Sequence, residues 1–134
     1  MSEVDEIIKD FEFLDSWEDK YQMIIDMGKS LPDLDEIYMN ENYKLKGCQS
    51  TVYFVSKLNK DKTLSFQANS DAFIVKGLLG LVMAAYNAKT PREILDFDIE
   101  AYFDELALIK HLSPTRGNGI KAMVEKILSI AKQS

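Results

Sequence analysis

The sequence predicts an α+β fold, a small antiparallel sheet of about three strands packed against several helices. Two observations carry the prediction. Apolar residues recur at helical spacing on both sides of one short stretch, and only within that stretch, roughly residues 51 to 68, does the period fall to two. The strands are clustered rather than alternating with helices, so βαβ units do not fit. At 134 residues, 46% hydrophobic and 28% charged, the chain suits one soluble domain spanning 1–134 with a substantial core.

From the N-terminus, Val4, Ile7, Ile8, Phe11 and Leu14 form a helical stripe, with Ser2 and Asp5 as a cap. Ser16 and Asp19 repeat that cap before a second stripe of Trp17, Tyr21, Ile24 and Ile25, where Gly28 offers a left-handed exit and Leu31-Pro32 closes the pair. From Asn42 the period changes. Val52 and Phe54 face one way, Thr51, Tyr53 and Val55 the other, and Asn59-Lys60-Asp61-Lys62 turns the chain into Leu64, Phe66 and Ala68. A third strand is expected just before Cys48. Asn69, Ser70 or Asp71 then caps a strongly apolar helix running from Phe73 through Ala85, the candidate core helix, whose glycines allow close packing. Thr90-Pro91-Arg92-Glu93 combines a capping box with proline at the first helical position, and Ile99, Tyr102, Phe103 and Leu106 continue a second short helix. The last helix carries Ile120, Met123, Val124, Ile127, Leu128 and Ala131 on one face and starts at either Ser113-Pro114 or Asn118.

Charge is unevenly distributed. Met1 to Glu41 holds 13 acidic and 3 basic residues, a balance of −10, and the remainder holds 9 acidic and 13 basic, a balance of +4. Without a basic stripe interleaved with aromatics, nucleic acid is not an expected partner. The acidity reads as a solvated helical face, or in the minority reading as a surface for a basic partner. The longest uncharged apolar run, Gly77 to Tyr86, is ten residues, about half of what a bilayer crossing needs, so no membrane role is expected. A single cysteine and an N-terminus without a basic start or apolar stretch point to a reducing cytoplasm.

That cysteine, Cys48, lies in Gly47-Cys48-Gln49-Ser50, between a polar approach and an apolar strand. Gly47 permits a bend there, and Lys44 and Lys46 favour a thiolate; the competing reading is a small, inert buried hydrophobe. One cysteine and one histidine, His111, are too few for a zinc or iron–sulfur site, so no metal is expected. His111 is a second-rank partner for Cys48, since nothing in the spacing brings the two together. Neither Gly77-Leu78-Leu79-Gly80 nor Gly117-Asn118-Gly119 is a phosphate loop, and Asp71 and Asp104 default to cap or surface positions.

Three segments together resemble the SufE family of sulfur-acceptor proteins, in the family's order over nearly the whole chain. Leu45-Lys46-Gly47-Cys48-Gln49-Ser50-Thr51-Val52-Tyr53 resembles its active-cysteine loop, with Tyr53 where the family commonly has tryptophan. Asn69-Ser70-Asp71-Ala72-Phe73-Ile74-Val75-Lys76-Gly77-Leu78 resembles its Ser-Asp-Ala helix start, and His111 to Met123 its C-terminal signature. The resemblance implies a partner and activator of a pyridoxal-phosphate cysteine desulfurase, of the SufS or CsdA kind. Cys48 would accept sulfur as a persulfide for iron–sulfur cluster assembly, passing it to a downstream scaffold. The chain itself would bind no cofactor, the pyridoxal phosphate belonging to the partner. Gly47, Gln49, Ser50, Asp71 and Arg116 would support Cys48, Arg116 by stabilising the thiolate or persulfide, or merely by tying the last helix to the loop. The alternative is a stand-alone thiol enzyme, a peroxidase or acyl transferase, using Cys48 with His111 or Arg116.

Overall fold

The most apolar segment of the chain becomes its central helix. In the computed structural model, which describes residues 2–46 and 51–134, six helices and one two-stranded sheet follow the order α1 (Glu3–Phe13), α2 (Trp17–Lys29), β1 (Val52–Leu58), β2 (Leu64–Ser70), α3 (Phe73–Tyr86), α4 (Pro91–Asp96), α5 (Ile99–Glu105) and α6 (Pro114–Gln133). Short 3-10 turns occupy Glu36–Tyr38, Glu41–Tyr43 and Ile109–His111. Ten of the 14 residues of α3 are buried, and α1, α2, α6 and β2 all pack on it.

The caps form as the sequence predicts. The hydroxyls of Ser2, Ser16 and Ser113 accept from the amides of Asp5, Asp19 and Arg116, and Thr90 and Glu93 complete a capping box. The Ser113 cap and Pro114 settle the start of α6. Two expectations at helix ends are corrected. Gly28 is not a left-handed exit: α2 continues to Lys29, and Gly28 is buried where α2 crosses α3. At the start of α3, the N-cap position falls to Ala72, without a side-chain cap. Ser70 belongs to β2, and its hydroxyl accepts from the Ala72 amide at 3.3 Å.

The strands pair antiparallel in register Val52↔Ser70 through Leu58↔Leu64. Val52, Phe54, Leu64, Phe66 and Ala68 point into the core, the alternation that the period of two predicts. The expected third strand shrinks to a single bridge, Lys44↔Tyr53, with the Leu45 amide donating to the Val52 carbonyl at 2.8 Å. Asn40 caps the turn at Glu41–Tyr43, and among the described residues of this approach Lys44 and Leu45 are the ones that reach β1. The opposite edge is covered by the segment after α3. Leu64 donates to the Lys89 carbonyl and accepts from the Ala88 amide, and the Asn87 side chain bonds both backbone groups of Phe66. Both exposed sheet edges are thereby partly satisfied without full strands.

Candidate functional site

Cys48 and its neighbours Gly47, Gln49 and Ser50 lie outside the described residues, so the structure speaks to the frame around them. That frame is a pinned pair of flanks. Leu45 and Val52 are both buried, and the backbone bond between them brings together the two ends of the segment that carries Cys48. Pairing of Val52 with Ser70 sets the end of β2 beside that segment's exit, so that Asp71, Ala72 and the first turn of α3 follow directly.

Around this frame the side chains are mixed in character. Asp71 is exposed and makes no ion pair among the described residues. Phe73, expected in the apolar core stripe of α3, is instead 68% exposed at the helix's first position. Lys46 is exposed, and with Tyr43, Lys44 and Leu45 it borders an open groove of about 880 Å³ shared with α6 at Ala122, Lys126 and Ile130. The neighbourhood thus combines a cationic flank, an exposed carboxylate and an exposed aromatic ring.

Arg116 and His111 both contact side chains of α2. An Nη1 of Arg116 donates to the Tyr21 hydroxyl at 2.8 Å, tying the start of α6 to α2. The imidazole of His111 stacks on Trp17, centroids 4.0 Å apart and planes 18° from parallel, and its Nδ1 lies 3.1 Å from the Ala107 carbonyl oxygen. Sequence reasoning missed both pairings. They link positions about ninety residues apart, which no local period reports. Among the described residues no group of three or more metal-ligating side chains is assembled, and no helix is long and apolar enough to cross a membrane.

Comparison with known proteins identifies relatives over nearly the whole chain. Residues 5–131 match the family model described as "SufE: Fe-S metabolism associated domain". An uncharacterized SufE-like protein of Rhizobium meliloti (strain 1021) is 40% identical over 135 residues, 98% of this chain and 96% of that one. Another, from Rhizobium etli, is 41% identical over 98% of this chain and 91% of its own. The fold is shared with the solution structure of a hypothetical protein from Thermus thermophilus, at a TM-score of 0.78 and 15% identity over 99% of this chain and 97% of that one. With a match covering all but the first four and last three residues, the chain belongs to the SufE family, the Fe–S metabolism associated domain.

Proposed function

We propose that this protein is a covalent sulfur carrier that accepts persulfide sulfur from a cysteine desulfurase on Cys48, stimulates that enzyme and hands the sulfur on for iron–sulfur cluster assembly. The observation that carries the reading is the family match over residues 5–131 in a chain whose one cysteine is Cys48. With a single thiol the chain cannot hold a cluster alone, but one thiolate suffices to carry sulfur. The pinned flanks support the reading too, because the Leu45–Val52 backbone bond holds the residues on either side of the cysteine motif together beside β1.

The chemistry is a thiol exchange. The Cys48 thiolate attacks the terminal sulfur of the partner's cysteine persulfide in line with the S–S bond. One S–S bond breaks as another forms, the partner's cysteine leaves as a thiolate and takes up a proton, and the transfer involves no net redox change. Neighbouring lysines favour the required thiolate, Lys46 being exposed beside the loop. In such a partner, pyridoxal phosphate would supply the chemistry that frees sulfur from cysteine. Exposed Phe73 and Asp71 offer contacts for a docking surface next to the loop.

Intact-mass spectrometry after incubation with cysteine and a cysteine desulfurase tests the proposal. The expected result is a gain of one or more sulfur atoms, lost on reduction and absent in Cys48→Ser. No gain with a desulfurase shown to be active would overturn it. Turnover of a peroxide or acyl substrate by this chain alone would favour the stand-alone thiol enzyme.

A further inference from the structure

The acidic N-terminal third folds into something more specific than a solvated face. Between α1 and α2 runs an open groove of about 760 Å³ whose floor reaches Gly80 of α3. Its apolar lining is Phe13, Leu14, Met23, Met27 and Leu31, with Phe13 87% exposed. Glu3, Asp10, Asp19 and Asp26 also line it, and none of its described lining residues is basic. Asp26 is already engaged, accepting from Gln22 at 3.0 Å and lying 4.0 Å from Lys29. Glu3, Asp10 and Asp19 make no ion pair among the described residues.

A largely exposed phenylalanine in a groove shared with two partly buried methionines is costly to leave in water and adaptable in what it accepts. An apolar trough rimmed by carboxylates is complementary to one kind of ligand, a helix with an apolar stripe and lysine or arginine flanking it. We propose that the α1–α2 groove docks a basic amphipathic helix of a partner protein. Phe13 and the methionines take the apolar stripe, while Glu3, Asp10 and Asp19 attract its flanks. The groove is open rather than enclosed, which suits a segment of a partner protein better than a buried small molecule. Its lining contains no part of the Cys48 segment's described flanks, so the surface is separate from the sulfur-transfer frame.

The test is a fluorescence-anisotropy titration, at physiological ionic strength, with a labelled leucine–lysine peptide of about 18 residues, five helical turns with leucines at helical spacing. A scrambled peptide of the same composition, having no apolar face, is the control. The patterned peptide is expected to bind roughly tenfold more tightly than the scramble, and both Phe13→Ser and Asp10→Lys are expected to remove most of that advantage while leaving the circular dichroism spectrum unchanged. Equal binding of the two peptides, or binding indifferent to Phe13→Ser, would overturn the proposal. So would sedimentation showing a dimer that Phe13→Ser dissociates, since the occupant would then be a second copy. Cys48→Ser is expected to bind the peptide like wild type, so this inference and the sulfur-carrier reading fail independently.

Discussion

Gly77→Ala and Gly80→Ala are the same substitution three residues apart on α3, and the structure assigns them opposite signs. In each, alanine's helix propensity contributes about 1 kcal/mol in favour of the variant. At Gly80 a new Cβ would meet Met27 and Leu31 at 3.8–3.9 Å, ordinary contact, so the propensity gain survives. At Gly77 it would collide with the carbonyl of Ile24 and would lie 2.7 Å from the Ile24 Cγ2. The carbonyl cannot rotate away, so α2 must move off α3 across the largest helix–helix contact in the fold. Overpacking of this kind costs up to about 3 kcal/mol, leaving Gly77→Ala destabilised by about 2 kcal/mol net. For 134 residues, about 1 kcal/mol corresponds to roughly 3–4 °C. Gly77→Ala should therefore lower Tm by about 7 °C, and Gly80→Ala should raise it by about 3–4 °C. Thermal and urea unfolding followed by circular dichroism read both, with unchanged m-values as the check that the denatured state is the same. If the two variants shift Tm in the same direction, or Gly77→Ala is neutral, the close crossing is wrong. Gly28→Ala, whose Cβ would fall 2.6 Å from the Gly77 amide nitrogen, should match Gly77→Ala and be less than additive with it.

Two buried tyrosines make a second contrasting pair. The Tyr86 hydroxyl is buried and has no hydrogen-bond partner among the described residues, so Tyr86→Phe should stabilise by about 1 kcal/mol in urea unfolding. The Tyr102 hydroxyl donates to the Leu81 carbonyl at 3.0 Å, and Tyr102→Phe should cost about 1 kcal/mol in the same assay. Burial pushes the Tyr86 phenol up from 10.0 to about 12. With the folded value raised, this group's contribution is intact below pH 10 and lost as pH rises through about 12. Over that interval wild type should lose stability more steeply than Tyr86→Phe; parallel curves would contradict the assignment. Arg116→Ala and Tyr21→Phe break the same α6–α2 bond and should cost similar stability, at most about 1 kcal/mol. If Arg116 also steadies the Cys48 persulfide, only Arg116→Ala will slow sulfur loading in the mass assay, and equal loading in both variants would confine Arg116 to the structural tie.

Much of this molecule was legible without coordinates. Serine and threonine caps, the period-two run from Val52 to Ala68, and the apolar helix from Phe73 depend on contacts within a few residues, which composition and spacing report directly. The cysteine motif and its companions likewise pointed to the family that residues 5–131 match. What the sequence left open depends on which surfaces meet. Gly28 looked like a helix exit because glycine favours one, but its use here is to let α2 approach the backbone of α3 at Gly77. Phe73 fitted the apolar spacing, and only packing decided that it faces outward at the first position of α3 while Ile74 beside it is buried. A third strand is expected from the approach to Cys48, yet a capped turn at Glu41–Tyr43 takes up its start, and Ala88 and Lys89 bridge the opposite edge. Arg116 with Tyr21, His111 with Trp17, and the groove between α1 and α2 come from helices remote in sequence being held side by side, and long-range packing leaves no local period to read.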